Sequence, residues 1–493
     1  METRAHPQRW LVLGVLCLSV MVVVLDNTVL NVAIPSISTG LGASTADIQW
    51  MINAYSLVLA GLLLTSGALS DRFGRKRALV AGLVVFGVGS AAGACAGTPE
   101  ALIGARAFMG LGAAFLMPGT LAVLVQLFDE RERPRAIAIW AAVSSIGLAG
   151  GPVIGGFLID HFWWGSVFLV NVPIAALAVV AVALLVPESK DPTVRRPDLP
   201  GSVLSTIAMT SLVWAVISQP EHGWGSARVL TALGVGLVAL LAFGWWERRT
   251  PDPMLDLGFF ADRRFSGAVT GGVLAAFGMG GSLFLLTQHL QSVLGYSPLE
   301  AGVRVAPMAV AVLVVSNLCA GLGARFGAGN TMVLGMSGVA AGLLALSFST
   351  ADGGYTATLA GLVLIGAGVG IAMPVAANAL MSAIPPERAG IASGLNGTLT
   401  ELGNSFGIAV LGSLLSARFA AALPDALPEG AERSMSSALR AAAGSPETVL
   451  AVREAFVSGM SVSLVVGACA ALLGGVLSGL LLRRTDRPHP VAA

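Results

Sequence analysis

An all-α polytopic membrane protein, with fourteen transmembrane helices set out as six, two and six and with both termini cytoplasmic, is predicted by three observations on this 493-residue sequence. Apolar runs of about 20 residues, long enough to cross a ~30 Å hydrocarbon core, recur along the whole chain. Charges avoid those runs, and Lys and Arg collect in alternate loops. Only 11% of the residues are charged against 55% hydrophobic, and the mean hydropathy is +0.82. An ordinary soluble domain carries about 25% charged residues, so a soluble globule is excluded. The net charge of +1 offers no basic field for nucleic acid.

The spans are expected at 11–34, 48–69, 79–97, 101–127, 137–159, 166–186, 201–218, 229–246, 266–287, 302–322, 331–349, 356–383, 390–416 and 457–482. They hold four charged side chains: Asp26, Arg106, Arg304 and Glu401. Lipid tolerates no unpaired backbone, and continuous apolar runs without period-2 alternation select helices over a barrel. The N-terminus and every second loop carry 21 Lys and Arg residues, whereas the alternate loops carry 5; this places both termini inside. Trp10, Trp50, Trp163, Trp164, Trp224, Trp245 and Trp246 lie near span ends, as interface anchors should. Span 1 is too long for a signal h-region and carries an acid, so it is expected to be retained. Cys17, Cys95, Cys319 and Cys469 fall within spans and give no disulfide framework.

The chain repeats itself at an offset of 253 to 256 residues. Leu41, Gly42, Ser44 and Asp47 return as Leu294, Gly295, Ser297 and Glu300. Arg72, Phe73 and Gly74 return as Arg325, Phe326 and Gly327, and Gly110, Gly112, Met117 and Pro118 return as Gly366, Gly368, Met373 and Pro374. Span n therefore matches span n+8, which leaves spans 7 and 8 between two parallel six-helix repeats, the plan of a transporter that rocks about a midplane site. The expected divisions are a first bundle at 1–187, two central helices with linkers at 188–262, and a second bundle at 263–493. The segment 417–456 is expected to form an external helical hairpin, with arms at Ser434 to Ala443 and Thr448 to Phe456, placed to cap the outer vestibule.

Chemistry is expected at the charges inside spans. An acid at mid-span costs about 2.5–3.5 kcal/mol on insertion scales, so Asp26 marks a proton path, a cation site or a partnered group. Glu401 shares a helical face with Gly397, Asn404 and Ser405, which suits a water-filled cavity. Arg106 is always charged and requires a carboxylate or backbone carbonyls. Arg304, one turn inside span 10, is placed to snorkel outward. The five histidines form no H-E-x-x-H pair, and no phosphate-binding G-x-x-x-x-G-K-[ST] loop is present.

Gly67, Leu69, Asp71, Arg72, Gly74, Arg75 and Lys76 resemble the G-x-L-x-D-R-x-G-R-K loop of the major facilitator superfamily. Leu25 to Pro35 resembles the span 1 signature L-D-x-T-V-x-N-V-A-x-P of its fourteen-helix drug:proton antiporters, the EmrB/QacA type. Arg106 with Gly110, Gly112, Ala113 and Ala114 matches that family's span 4 motif. Gly147, Gly151, Pro152, Gly155 and Gly156 match its exporter motif in span 5, and Glu401 with Gly403, Asn404, Phe406 and Gly407 resembles span 13 of quaternary-ammonium exporters. Ala324 stands where Asp71 has its repeat partner, so the cytoplasmic lock is one-sided.

The resemblance implies a major facilitator fold and proton-coupled efflux of amphipathic, cationic or neutral, drugs or antibiotics across a bacterial cytoplasmic membrane, conferring resistance. A dedicated exporter of one self-made natural product and an uptake symporter are the alternatives. Asp26, Glu401 and Arg106 are the expected proton-coupling residues, and Gly67, Asp71, Arg72, Gly74 and Arg75 form the gating loop. Gly147, Gly151, Pro152, Gly155 and Gly156 form the antiporter helix motif; Asn31, Asn53 and Asn404 are cavity candidates. The protein is expected to be a monomeric secondary transporter in contact with membrane lipid. It is expected to use the proton motive force, with no cofactor, metal or enzymatic activity.

Overall fold

Each apolar run becomes one helix in the computed structural model, which describes residues 8–129, 131–190, 197–319, 321–384 and 389–483. Arg4, Arg195, Arg196, Arg388, Arg484 and Arg487 of the orientation count lie outside the described residues, as do His6 and His489. The helices are α1 (Arg9–Leu41), α2 (Thr45–Phe73), α3 (Arg75–Ala94), α4 (Pro99–Leu127), α5 (Arg133–His161), α6 (Ser166–Leu185), α7 (Leu199–His222), α8 (Ala227–Glu247), α9 (Arg263–Val293), α10 (Pro298–Leu318), α11 (Ala328–Ser347), α12 (Tyr355–Ala383), α13 (Ala389–Ala422) and α14 (Pro446–Arg483). Several overrun the predicted spans because a helix ends at its cap and not at the lipid boundary.

The sequence repeat is a repeat of physical devices. Gly42 and Gly295 adopt φ of 64° and 73° just before α2 and α10, a conformation that side chains with a Cβ resist. Ser44 and Asp47 then form a capping box at the start of α2, and Ser297 and Glu300 form the same box at the start of α10. Gly74 and Gly327, with φ of 116° and 81°, break the chain before α3 and α11. In the first half a Cβ on Gly110 would lie 2.6 Å from the Tyr55 carbonyl oxygen of α2, and one on Gly112 would lie 2.6 Å from the Gly82 carbonyl oxygen of α3. In the second half Gly366 meets the Met308 carbonyl oxygen of α10 at 2.3 Å, and Gly368 the Gly335 carbonyl oxygen of α11 at 2.5 Å. Small residues are how helices pack closely where lipid gives no hydrophobic drive between them.

The pairings follow the repeat. α2 and α3 pack on α4, and α1 on α5; α10 and α11 pack on α12, and α9 on α13. The two halves meet where α5 lies on α10 and where α2 lies on α13. α7 occupies the second of these seams. Its Ser202 hydroxyl bonds Thr65 of α2, its Thr206 fills the space over Gly61, and its Val216 carbonyl accepts from Ser413 of α13 at 2.9 Å. Leu57, Val213, Ile217 and Ala409 close the seam with apolar contact. α8 packs on α7 and exposes Leu237, Val238 and Leu241 on its outer face, as a lipid-facing helix should. The pair is tied at its inner ends by the buried Asp198, whose Oδ1 accepts from Gly201 N at 2.9 Å and from Trp246 Nε1 at 2.8 Å.

The external segment forms one separate helical arm, Met435–Ala442; the second expected arm is the outward extension of α14. Pro446 explains this, since proline is accepted in a first helical turn and lets α14 start there. Met435, Ala438 and Ala442 are buried, and Ser436 meets Ser38 of α1 at 2.7 Å. At the other end of α1, Arg9 Nε and Nη2 donate to Glu132 at 2.6 and 2.9 Å, and this hydrogen bonding holds the Glu132 carboxyl below its usual range. The pair is therefore intact above the ordinary carboxylate range and is lost as pH falls through the lowered value.

Backbone-to-backbone packing at Gly110 makes a definite prediction. Gly110→Val overpacks the α2–α4 contact, where the obstacle is main chain and cannot rotate away. The expected cost is about 1–3 kcal/mol, read as a lower unfolding midpoint of the purified transporter in detergent. An unchanged midpoint would show that α2 and α4 can separate freely.

Candidate functional site

Five helices bring polar groups to one point in the first bundle. Arg106 of α4 is fully buried, and its Nη1 pairs with Oδ2 of Asp26, which is 3% exposed on α1. Oδ1 of the same carboxylate accepts from Nδ2 of Asn171 on α6 at 3.0 Å. Asn171 Nδ2 also reaches Ser90 Oγ of α3 at 3.1 Å, and Ser90 Oγ donates to the Phe168 carbonyl at 2.8 Å. On α2 the Met51 carbonyl accepts from Arg106 Nε at 3.1 Å, and the Tyr55 ring lies 4.2 Å from the guanidinium carbon. The expected choice for Arg106, carboxylate or backbone carbonyl, is resolved as both together. Its Nη2 and the Tyr55 hydroxyl have no partner among the described residues.

A second polar layer lies in the α2–α13 seam. The antiparallel register is set by Leu64 over Gly394, Leu63 over Gly397, Thr398 Oγ1 donating to the Ala60 carbonyl at 3.2 Å, and Gln49 Nε2 donating to the Ile408 carbonyl at 2.8 Å. Between these points Ser56 sits beside Glu401, and the same register sets Asn53 opposite Ser405. Asn53 is fully buried with neither amide atom bonded, and Glu401 Oε2, Ser405 Oγ and Asn404 Oδ1 are likewise without partners among the described residues. A buried polar atom left without a partner costs about 1–3 kcal/mol, so this layer is a polar site inside an otherwise apolar seam.

The cavity candidates divide. Asn53 and Asn404 belong to the seam, although Asn404 turns toward α9 and packs on Gly280. Asn31 lies on the outer half of α1, half-buried, and donates to its own helix at the Asn27 carbonyl at 3.1 Å. A cavity of about 460 Å³ opens at the cytoplasmic end of the second bundle, lined by Arg264, Ser316, Pro374, Asn378, Ser382 and Leu482 among others.

The span 5 motif has two faces. Gly147, Gly151 and Gly155 rest on Val24, Thr28 and Val29 of α1 in the same bundle, and Gly156 alone of the motif glycines rests on α10 of the other bundle. Pro152, within α5, supplies the carbonyl oxygen that Gly302 of α10 meets. The cytoplasmic loop stays within the first bundle. Asp71 Oδ1 bonds Arg75 Nε at 2.6 Å, Arg75 Nη1 donates to Gln126 Oε1 at 3.0 Å, and Gly67 stands 3.8 Å from Pro118 as a Cβ position. Arg72 lies over the Phe73 ring, and Gly74 closes the turn. Glu188, absent from the expected set, accepts from Lys76 N at 3.2 Å and pairs with Arg77 at 3.5 Å. Arg304 packs on the Tyr296 ring at 3.7 Å near the outer surface.

The comparisons agree with this architecture. Residues 16–408 match the family model described as Major Facilitator Superfamily, and the chain belongs to that family. It is thus a multi-pass membrane transporter. It is 37% identical over 98% of its length, and 98% of the relative's, to the multidrug efflux pump LfrA of Mycolicibacterium smegmatis. It is 34% identical over 97% of its length, and 92% of the relative's, to the tetracenomycin C resistance and export protein of Streptomyces glaucescens. Among solved structures, a bacterial homolog of the human lysosomal transporter Spinster, in an inward-facing and unoccupied conformation, has the same fold, with a TM-score of 0.70 and 18% identity over 99% of this chain and 100% of that one.

The buried pair generates the second prediction. Removing one partner of a buried ion pair costs about 3–5 kcal/mol, whereas neutral replacement of both is often tolerated. Arg106→Leu alone should deplete folded protein in the membrane, and Arg106→Leu with Asp26→Asn should restore much of it. Membrane yield and monodispersity of the two variants check this; equal loss in both would mean that Arg106 is held by Met51 and Tyr55 alone.

Proposed function

We propose that this transporter exports amphipathic organic compounds, drugs or antibiotics, from the cytoplasmic side in exchange for protons, and so confers resistance. Asp26 is the principal proton carrier in this reading, Arg106 its counter-charge, and Glu401 a second carboxylate that takes a proton or a cationic group of the substrate. The observation that carries the proposal is the placement of Asp26: a carboxylate at mid-membrane held, among the described residues, by groups that can release it, one guanidinium and one amide. Protonation removes its attraction to Arg106 and frees the guanidinium to find other acceptors. Each elementary charge crossing 100 mV contributes about 2.3 kcal/mol, and each pH unit adds about 1.4 kcal/mol. One proton thus supports a substrate gradient of tens- to hundreds-fold.

The α2–α13 seam is in contact on its inner half, at Leu63 and Leu64 over Gly397 and Gly394, and the α5–α10 seam is closed on its outer side. On that side Gly156 lies on α10, Gly302 on α5, and Ser436 on α1. The charged contacts at the cytoplasmic ends, Asp71 with Arg75, Arg9 with Glu132 and Arg77 with Glu188, do not reach the second bundle among the described residues. A narrower reading, export of a single natural product, is favoured by the relative named for tetracenomycin C resistance and export.

Asp26→Asn should abolish export driven by a pH gradient in proteoliposomes when the rate is taken per amount of folded protein recovered, and normal gradient-driven export in that variant would sink the assignment. Glu401→Gln should reduce export of cationic compounds more than neutral ones, because a carboxylate in the seam stabilises only the charged ligand. Parallel transport assays with one compound of each type decide this, and equal losses would reassign Glu401 to proton coupling or folding.

A further inference from the structure

We infer that Asp160 is a positioning residue of the transport cycle: its carboxylate latches the outer end of the first bundle to the first turn of α10 in the second. α5 ends at His161 on the outer side. One turn earlier a Cβ on Gly156 would lie 2.5 Å from Leu299 Cα and from the Pro298 carbonyl oxygen, and one on Gly302 would lie 2.1 Å from the Pro152 carbonyl oxygen. These two glycines set α5 directly on the start of α10, and that setting carries Asp160 to the helix end. Its Oδ2 accepts from Ser297 Oγ at 3.0 Å and from Leu299 N at 3.2 Å.

α10 already caps itself. Ser297 Oγ accepts from Glu300 N at 3.2 Å, and Glu300 Oε2 accepts from Ser297 N at 3.0 Å. That box leaves over the Ser297 hydroxyl proton and the Leu299 N–H, and the first N–H groups of a helix have no partner inside it. Asp160 takes both of these donors. It is a second cap on α10, supplied by the other bundle, and its negative charge also faces the positive end of the helix dipole. Asp47, in the matching box of α2, makes only the internal contacts among those described, so the cross-bundle cap belongs to the α5–α10 seam.

The contact suits a latch because it is exposed and polar. When the bundles part, water can satisfy the carboxylate on one side and the two donors on the other. The closed state gains a modest and reversible advantage, while the glycine contacts beneath it set the geometry. The role in the cycle rests on the alternating-access export proposed above, but the latch itself is read by accessibility without any transport measurement.

The test uses the full-length protein with its four native cysteines replaced and one reporter introduced, Asn31→Cys in the outer half of α1 or Asn378→Cys in the cytoplasmic cavity. Asp160→Ala should speed maleimide modification of the outer reporter about five-fold, the scale of losing one helix cap, and leave or slow that of the inner one. Asp160→Asn keeps an oxygen that accepts both bonds and should stay within about two-fold of the parent, since Asn caps as well as Asp. Faster modification at both reporters, or at neither, overturns the latch, and so does Asp160→Asn matching Asp160→Ala. If the latch results hold while Asp26→Asn exports normally, the latch stands and the proton assignment falls.

Discussion

A charge pair in the middle of a membrane protein is the constraint on which the rest of this structure depends. Arg106 cannot shed its charge, and Asp26 sits beside it with almost no access to solvent. The only way to retain such a pair is to surround it with donors and acceptors. The first bundle does so by bringing Asn171, Ser90, the Met51 carbonyl and the Tyr55 ring from three helices. Close approach of those helices requires small residues, and so Gly110 and Gly112 lie in direct contact with the backbones of α2 and α3. The glycine content and the charge site are two aspects of one design.

The second half has the same scaffold without the same chemistry. Gly366 and Gly368 repeat the backbone contacts, and Ser297 with Glu300 repeats the cap, but Met308 to Val315 of α10 and Leu362 to Val369 of α12 carry no charge. Duplication preserved what packing demands, because a substitution at a backbone contact is costly in either half. It left the ionisable groups free to diverge. Glu401 then places the second bundle's acid on α13 at the seam, a position different from that of Asp26 on α1, since α1 corresponds to α9 in the repeat.

Much of this was legible in the sequence for physical reasons. Fourteen helices, their order and the repeat follow from apolar length and from glycines at fixed offsets, and a lone charge in an apolar span announces a site because lipid penalises it. The companions of Asp26 were not legible. Asn171 and Ser90 are ordinary polar residues far apart in the chain, and only the fold brings them to one carboxylate; a lone amide in span 6 was the available signal. The division of the span 5 glycines was also hidden, because spacing along one helix does not say which neighbour each face meets. The seat of α7 rests on apolar and hydroxyl contacts with α2 and α13, which carry no directional mark in the sequence.

The position of α2 links the charge site to the bundle interface. One side of the helix carries Met51 and Tyr55, which hold Arg106. The side formed by Gln49, Asn53, Ser56, Ala60 and Leu63 runs along α13, where Glu401 and Ser405 lie. A change in the partners of Arg106 therefore acts on the same rigid helix that forms the seam, with no flexible connection between them. Coupling of two sites needs an element that both of them bias, and α2 touches both. The seam side of α2 carries Asn53 next to Glu401 and Ser405 of α13, while α7 is bonded to α2 at Thr65 and to α13 at Ser413. The opposite seam has no such third helix, since there α5 and α10 meet directly through Gly156 and Gly302.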